Sequence, residues 1–258
     1  MEVKISAVII TRNEEEMIKG TLSSLSWVDE IIVVDQGSED ATRKIAREFG
    51  ARVVVHEWKG AAKFAKARNI GAEQARGEWI IYVDADERVT KELRREIQNV
   101  IRGNTDYNFY AIPRENIIFG KVFKHGGFWP DYVKRLFRKK KLKKWQGELH
   151  EEPLVEGGMG YLKSPLRHLK HESLREMVEK TNMWSEIEAD LMYKAGHPKM
   201  NIIRFMSAMI REFWHRMIRG MAFLDGPEGI IMAVYQVYSR FISYAKLWER
   251  QENESLYR

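Results

Sequence analysis

The chain contains no cysteine, which excludes a disulfide framework, a thiolate zinc site and a cysteine nucleophile together. It also lacks an apolar run of the roughly 18 residues that a bilayer-spanning helix takes. The longest candidate, 229–239, is 11 uncharged residues and stops at Arg240. The start, Met1-Glu2-Val3-Lys4-Ile5, has neither the basic opening nor the apolar core of a signal peptide, so no export is expected. Internal repeats and low-complexity segments are missing too. Acids are in deficit: 37 Asp and Glu stand against 43 Lys and Arg, a formal charge of +6. That excess draws anions (phosphate groups, nucleic acid or an acidic membrane surface), and composition does not choose among them. Core material is plentiful. Of the 258 residues 44% are hydrophobic, and a chain this long buries roughly three quarters of its unfolded surface. One large domain, or one domain with an appendage, fits.

The first hundred residues alternate strand and helix. The apolar run 4–10 (KISAVII) reads as a buried strand ending at Thr11-Arg12-Asn13. Apolar residues at 17, 18, 22 and 25 then follow a helical spacing. A second strand, 30–34, closes on Asp35-Gln36-Gly37-Ser38, and a helix over 41–49 is stopped by Gly50. A strand over 52–55, a helix over 61–75 and a strand over 79–83 follow, the last running into Asp84-Ala85-Asp86-Glu87. Thr90 caps a helix to about Ile101. This alternation predicts a mostly parallel sheet covered on both faces, with ligands at the carboxyl ends of its strands. Those ends are the loops 11–14, 35–40 and 84–87.

Beyond residue 105 the alternation breaks. Strands are expected at 108–112 and 133–137 around a Gly- and aromatic-rich stretch, 119–130. Residues 134–144 hold eight basic side chains and no acid. Helix is expected over 174–195, then a break at His197-Pro198. The expected division is therefore 1–104 and 105–172 as two halves of one domain, with a helical region over 173–258.

Asp84 and Asp86, one residue apart on a turn leaving a strand, can share a divalent cation and the phosphates it holds. Mg²⁺ and Mn²⁺ bind through such carboxylates. Alone, the triplet reads as a solvated acidic turn; its place at the ligand edge favours function. Asp35 ends a strand in the same way and is otherwise a turn former. Thr11, Asn13 and Glu14 are otherwise a polar turn, and Arg68 a solvated helix residue. A dinucleotide-binding G-x-G-x-x-G turn is absent where Thr11-Arg12-Asn13 stands, which argues against a Rossmann dehydrogenase.

Taken together, Thr-Arg-Asn-Glu from 11, Val-Val-Asp-Gln-Gly-Ser-Glu-Asp from 33, Ala-Arg-Asn from 67 and Asp-Ala-Asp-Glu-Arg from 84 resemble glycosyltransferase family 2, with the GT-A fold. His125-Gly126-Gly127-Phe128-Trp129-Pro130-Asp131-Tyr132, Arg135-Leu136-Phe137-Arg138, Leu149-His150-Glu151 and the tail around 223–249 look like its branch of lipopolysaccharide core β-glucosyltransferases. Gln36 departs from the pattern, where many relatives carry a small residue. The resemblance implies an inverting, metal-dependent transfer of a hexose such as glucose from a nucleotide sugar, UDP-linked, to a glycan or lipid-linked acceptor. It implies Thr11, Asn13 and Glu14 at the nucleoside, Asp35 on the base, and Arg68 on base or phosphate. Asp84 would sit near ribose and metal, and Asp86 would be the principal ligand of Mg²⁺ or Mn²⁺. Such enzymes need one general base; Glu151 is preferred over Asp131. His125, Trp129 and His150 fall on the acceptor side. A polyprenyl-phosphate sugar synthase is the nearest alternative, and a non-catalytic anion- or membrane-binding module the alternative of another class. Nucleic acid is not expected: Trp145 is too isolated for a stacking platform.

In the C-terminal region Arg204, Arg211, His215 and Arg219 recur on one helical face, while Met206, Met209, Ile210, Phe213, Trp214, Met217 and Met221 crowd the rest. Core packing explains such a helix in most proteins. Here the broad apolar sector and nearly pure basic sector predict a helix at an anionic membrane interface. The expected location is cytoplasmic, peripheral at the inner face of the cell membrane.

Overall fold

The computed structural model describes residues 4–57, 64–103, 105–147, 151–171 and 173–256. The elements in chain order open with β1 (Ile5–Thr11), α1 (Glu15–Ser24), β2 (Glu30–Asp35), α2 (Thr42–Glu48), β3 (Arg52–Val55), α3 (Phe64–Gln74) and β4 (Trp79–Tyr82). Then come β5 (Glu87–Val89), α4 (Lys91–Arg102), β6 (Tyr107–Ile118), β7 (Lys121–Val122), β8 (Asp131–Arg138), β9 (Leu142–Gln146), β10 (Glu152–Val155), β11 (Gly158–Tyr161) and β12 (Leu166–His171). Three helices finish the chain: α5 (Leu174–Lys194), α6 (Ile202–Phe213) and α7 (Gly226–Leu256). The expected α/β class with a helical C-terminal region is what the chain adopts. Of the helix expected over 61–75, residues 61–63 lie outside the described residues.

The chain divides into two compact units, 1–115 with 131–169, and 116–130 with 170–258. In the first, β3, β2, β1 and β4 run parallel in that order, and β8 joins β4 antiparallel. All seven residues of β1 are buried because helices cover both of its faces. Ala7 and Ile9 pack with Ile18 and Leu22 of α1 and Ala46 of α2. Val8 and Ile10, pointing the other way, pack with Ala65 and Ala67 of α3. Gly71 lets α3 lie directly on the sheet, since a Cβ there would overlap Val8 Cγ1.

Two features depart from the expected pattern. The Asp84–Glu87 turn leads into β5, a three-residue strand that pairs antiparallel with β12, His168 opposite Glu87. The second departure concerns 116–130, expected inside the first domain. Its Ile118, Phe123 and Phe128 form a core with Met177 of α5 and Met232 of α7, which makes the stretch part of the second unit. Its aromatic side chains supply apolar surface that α5 and α7 bury.

Candidate active site

The carboxyl ends of β1 and β2 are built from their loops' own hydrogen bonds. Thr11 stands opposite Asp35. Asp35 is fully buried, and its Oδ1 accepts the Gly37 and Ser38 N–H groups at 3.2 and 3.0 Å while Ser38 Oγ donates to Oδ2. In this structure Asp35 therefore shapes the turn after β2. Asn13 takes a φ of 54°, which places its side-chain oxygen to accept the Glu39 N–H at 2.8 Å. The Glu14 N–H donates to Thr42 Oγ1 at 2.8 Å, and the Glu14 carbonyl opens α1. Two buried polar atoms at this edge, Thr11 Oγ1 and Gln36 Nε2, have no hydrogen-bond partner among the described residues. Buried polar atoms of this kind call for an explanation, and a ligand supplies one.

The carboxyl end of β4 carries a chain of ion pairs. Arg68, on α3, donates from Nη2 to Asp84 Oδ1 at 3.2 Å and from Nε to Glu151 Oε1 at 3.0 Å. Its guanidinium lies 4.9 Å from the Trp145 ring centroid, and Asn69 holds the Trp145 backbone through both amide atoms. Arg135 Nη2, from β8, reaches Asp84 Oδ2 and lies 2.8 Å from Glu87 Oε1. Arg114 continues the chain, 3.7 Å from Glu87 and 2.7 Å from Asp131. The sequence Glu151–Arg68–Asp84–Arg135–Glu87–Arg114–Asp131 thus joins both candidate bases through Asp84. Burial pushes the Asp84 carboxyl up, but the Arg135 and Arg68 guanidiniums outweigh it and hold the group well below the usual carboxylate range. Burial pulls Arg135 down, and Asp84 and Glu87 more than restore it, keeping it fully charged.

Asp86 points elsewhere. Its Oδ2 lies 3.2 Å from His168 Nε2, a residue that β12 brings beside the turn, and the Leu169 N–H donates to the Asp86 carbonyl. Both oxygens of Asp84 are held by arginines, so the group next to Asp86 is His168 and not Asp84. Among the described residues no cluster of three or more His, Asp or Glu side chains is gathered for a metal. A carboxylate with an imidazole is nonetheless a donor pair suited to a first-row divalent ion such as Mn²⁺, whose other positions a diphosphate would fill.

Of the residues expected on the acceptor side, His150 lies outside the described residues. His125 and Trp129 belong to the second unit. There His125 Nδ1 lies 2.8 Å from Asp225 Oδ1, and Asp225 Oδ2 accepts the His125 and Lys124 N–H groups. That buried carboxylate fixes the imidazole's orientation. Trp129 precedes Pro130 through a cis peptide and is exposed.

Sequence reasoning missed Arg135, Glu87, Arg114 and His168. Arg135 hid among eight basic residues, although period-two spacing from Phe137 marks it as inward-pointing. The same spacing from Leu166 marks His168.

The sequence model of the family described as Glycosyl transferase family 2 matches residues 6–169, more than half of the chain. The chain is 29% identical over 258 residues to an uncharacterized glycosyltransferase of Rickettsia bellii, covering 95% of this chain and 86% of that one. It is 24% identical over 262 residues to the lipopolysaccharide core biosynthesis glycosyltransferase LpsC of Rhizobium meliloti, covering 96% and 93%. Among solved structures it resembles S. aureus TarS 1-349 in complex with UDP-GlcNAc, at 16% identity and a TM-score of 0.48, over 97% of this chain and 92% of that one.

Proposed function

The chain belongs to glycosyl transferase family 2 and is a glycosyltransferase, and on that premise we propose that it moves a hexose, with inversion, from a UDP-sugar to a hydroxyl of a lipid-linked glycan of the lipopolysaccharide core kind. Similarity to LpsC supports that acceptor class. The observation that carries the reading is Arg68, which holds Asp84 and Glu151 on one guanidinium at the carboxyl edge of the sheet. A carboxylate able to accept a proton is thereby fixed beside the donor-side aspartate.

In this scheme Thr11 Oγ1 and Gln36 Nε2 supply the unspent hydrogen bonds that a nucleoside takes up. Asp86 and His168 would hold a divalent ion, which would neutralise charge on the departing diphosphate. Glu151 accepts the proton of the attacking hydroxyl, with Arg68 and Trp145 fixing where its carboxylate stands. Asp131, paired with Arg114 at the far end of the chain of ion pairs, is the second candidate for the same step. The reaction takes place in the cytoplasm, at the inner face of the cell membrane.

The test is a donor screen with nucleotide sugars and Mn²⁺ or Mg²⁺, followed by Glu151→Gln. UDP-glucose or a related UDP-hexose should be turned over, chelator should stop it, and Glu151→Gln should cut kcat by about 10²-fold with donor KM little changed. If Asp131→Asn shows that pattern and Glu151→Gln does not, Asp131 is the base. Transfer to a polyprenyl phosphate and to no sugar hydroxyl would overturn the acceptor class. Failure to turn over any nucleotide sugar would overturn the reading.

A further inference from the structure

The second unit keeps an unusual amount of apolar surface in water. Along α6, Ile203, Met206, Ile210 and Trp214 are spaced three or four residues apart and share one face. Ile203 is 79% exposed, Ile210 64% and Trp214 61%. The opposite side of the same helix is spent: Phe205, Ala208 and Met209 form a core with Ala189 of α5 and Leu247 of α7. Helix α7 has exposed apolar residues of its own, Val234 and Phe241, and Phe241 meets Phe205 of the spent side of α6 edge-on at 5.1 Å between ring centroids. After α6 the backbone widens into a π-helical segment, Trp214–Arg219, which extends the helix without burying any of its residues. The core is therefore already filled, and this second apolar face is left over. Contiguous surface of that kind marks a contact site.

The charges on and beside that face say what covers it. Arg204, Arg211 and Arg219 have no carboxylate within 4.0 Å among the described residues, whereas Arg216, Arg240 and Arg250 are each paired with an acid. From 199 to 224 the sequence has five Lys or Arg and one acid, Glu212, which Arg216 already holds. A two-fold contact between copies would lay this patch on itself and bring unpaired arginines against one another with no acid to offset them. An anionic lipid surface takes both parts at once: acyl chains the Ile and Met side chains, headgroup phosphates the arginines, and the interface the Trp214 ring. None of the described helices is long and apolar enough to cross a membrane. We propose that α6 and the π segment form a docking face that lies in the interface of an anionic bilayer, apolar side chains inward and Arg204, Arg211 and Arg219 at the phosphates. The purpose of such docking, reaching a lipid-anchored acceptor, rests on the function proposed above; its physics does not.

The experiment is flotation of the full-length protein with vesicles of phosphatidylcholine alone or with added phosphatidylglycerol, at low and high salt. Binding to the anionic vesicles is expected at low salt, with a large loss at high salt. Ile203→Glu with Ile210→Glu should abolish it. Arg204→Gln, Arg211→Gln and Arg219→Gln together should weaken it by roughly 100-fold, from about 1 kcal/mol per cation at the surface. Four of the five positions are exposed, and Arg204 is half-buried with only a local bond to the Lys199 carbonyl, so both variants should keep wild-type circular dichroism and donor hydrolysis. Absence of binding to anionic vesicles at low salt overturns the proposal, as does wild-type binding by folded variants. A dimer that Ile203→Glu with Ile210→Glu dissociates, without vesicle binding, gives the face to a second copy instead. Vesicle binding by a protein that hydrolyses no nucleotide sugar keeps the docking face and removes the donor reading.

Discussion

At Arg68 a single guanidinium meets two carboxylates and the face of an indole. A lysine carries the same charge but lacks the planar fork that serves Nε and Nη2 contacts together. The identity of the residue, and not its charge alone, therefore sets the spacing of Asp84 from Glu151. Asp84 in turn ties the site to stability. Folding favours its ionised form, so its contribution is complete above the ordinary carboxylate range and is lost as the pH falls through the depressed folded value. Asp84→Asn leaves Arg135 short of a partner and should cost about 2 kcal/mol near neutral pH, less than the loss from a wholly buried pair because the Asp84 side chain is 31% exposed. Thermal melts from neutral pH into acid should show the gap between wild type and variant narrowing as the acid limb is descended. A gap that stays constant would mean that the ionised carboxylate is not what the arginines stabilise.

Elements place these residues. Helix α3 contributes Arg68 and Asn69 only because its backbone lies against β1 and β2 at Gly71, where a Cβ would overlap Val8 Cγ1. Gly71→Ala sets two effects against each other: alanine favours the helix by up to about 1 kcal/mol, while overpacking a filled core costs about 1–3 kcal/mol. Val8 is 1% exposed and cannot swing aside, so the overlap wins. The variant should lose about 1–2 kcal/mol in urea denaturation, and Val8→Ala in the same chain should recover part of it. Added stability in the single variant would show that α3 does not need the close approach. Short apolar runs made β1–β4 legible in the sequence, and their alternation with helices made α3 so. Strand β5 was not: three residues are too few for a period, and it exists because β12 pairs with it.

At the scale of the molecule, chain order and spatial grouping part company at 116–130. Phe123 and Phe128 stack edge-on at 5.4 Å and close a core with Met177 and Met232. Phe128→Ala should cost about 3–5 kcal/mol in the unit that holds it. Hydrogen exchange should report this as lost protection in α5 and α7, with β1–β4 unchanged; loss in β1–β4 alone would refute the grouping. What the sequence determined by itself was whatever local periodicity encodes: the alternating elements, the edge where the loops gather, and the polar residues waiting there. Hydrophobic spacing is a property of neighbours along the chain, so it can be read without a structure. The partner of each charge was decided by tertiary structure alone. Asp84 meets Arg135 across 51 residues and Asp86 meets His168 across 82. Those meetings follow from β8 lying against β4 and β12 against β5, and strand pairing at such separations is fixed by how the whole core closes, not by any pattern within the strands.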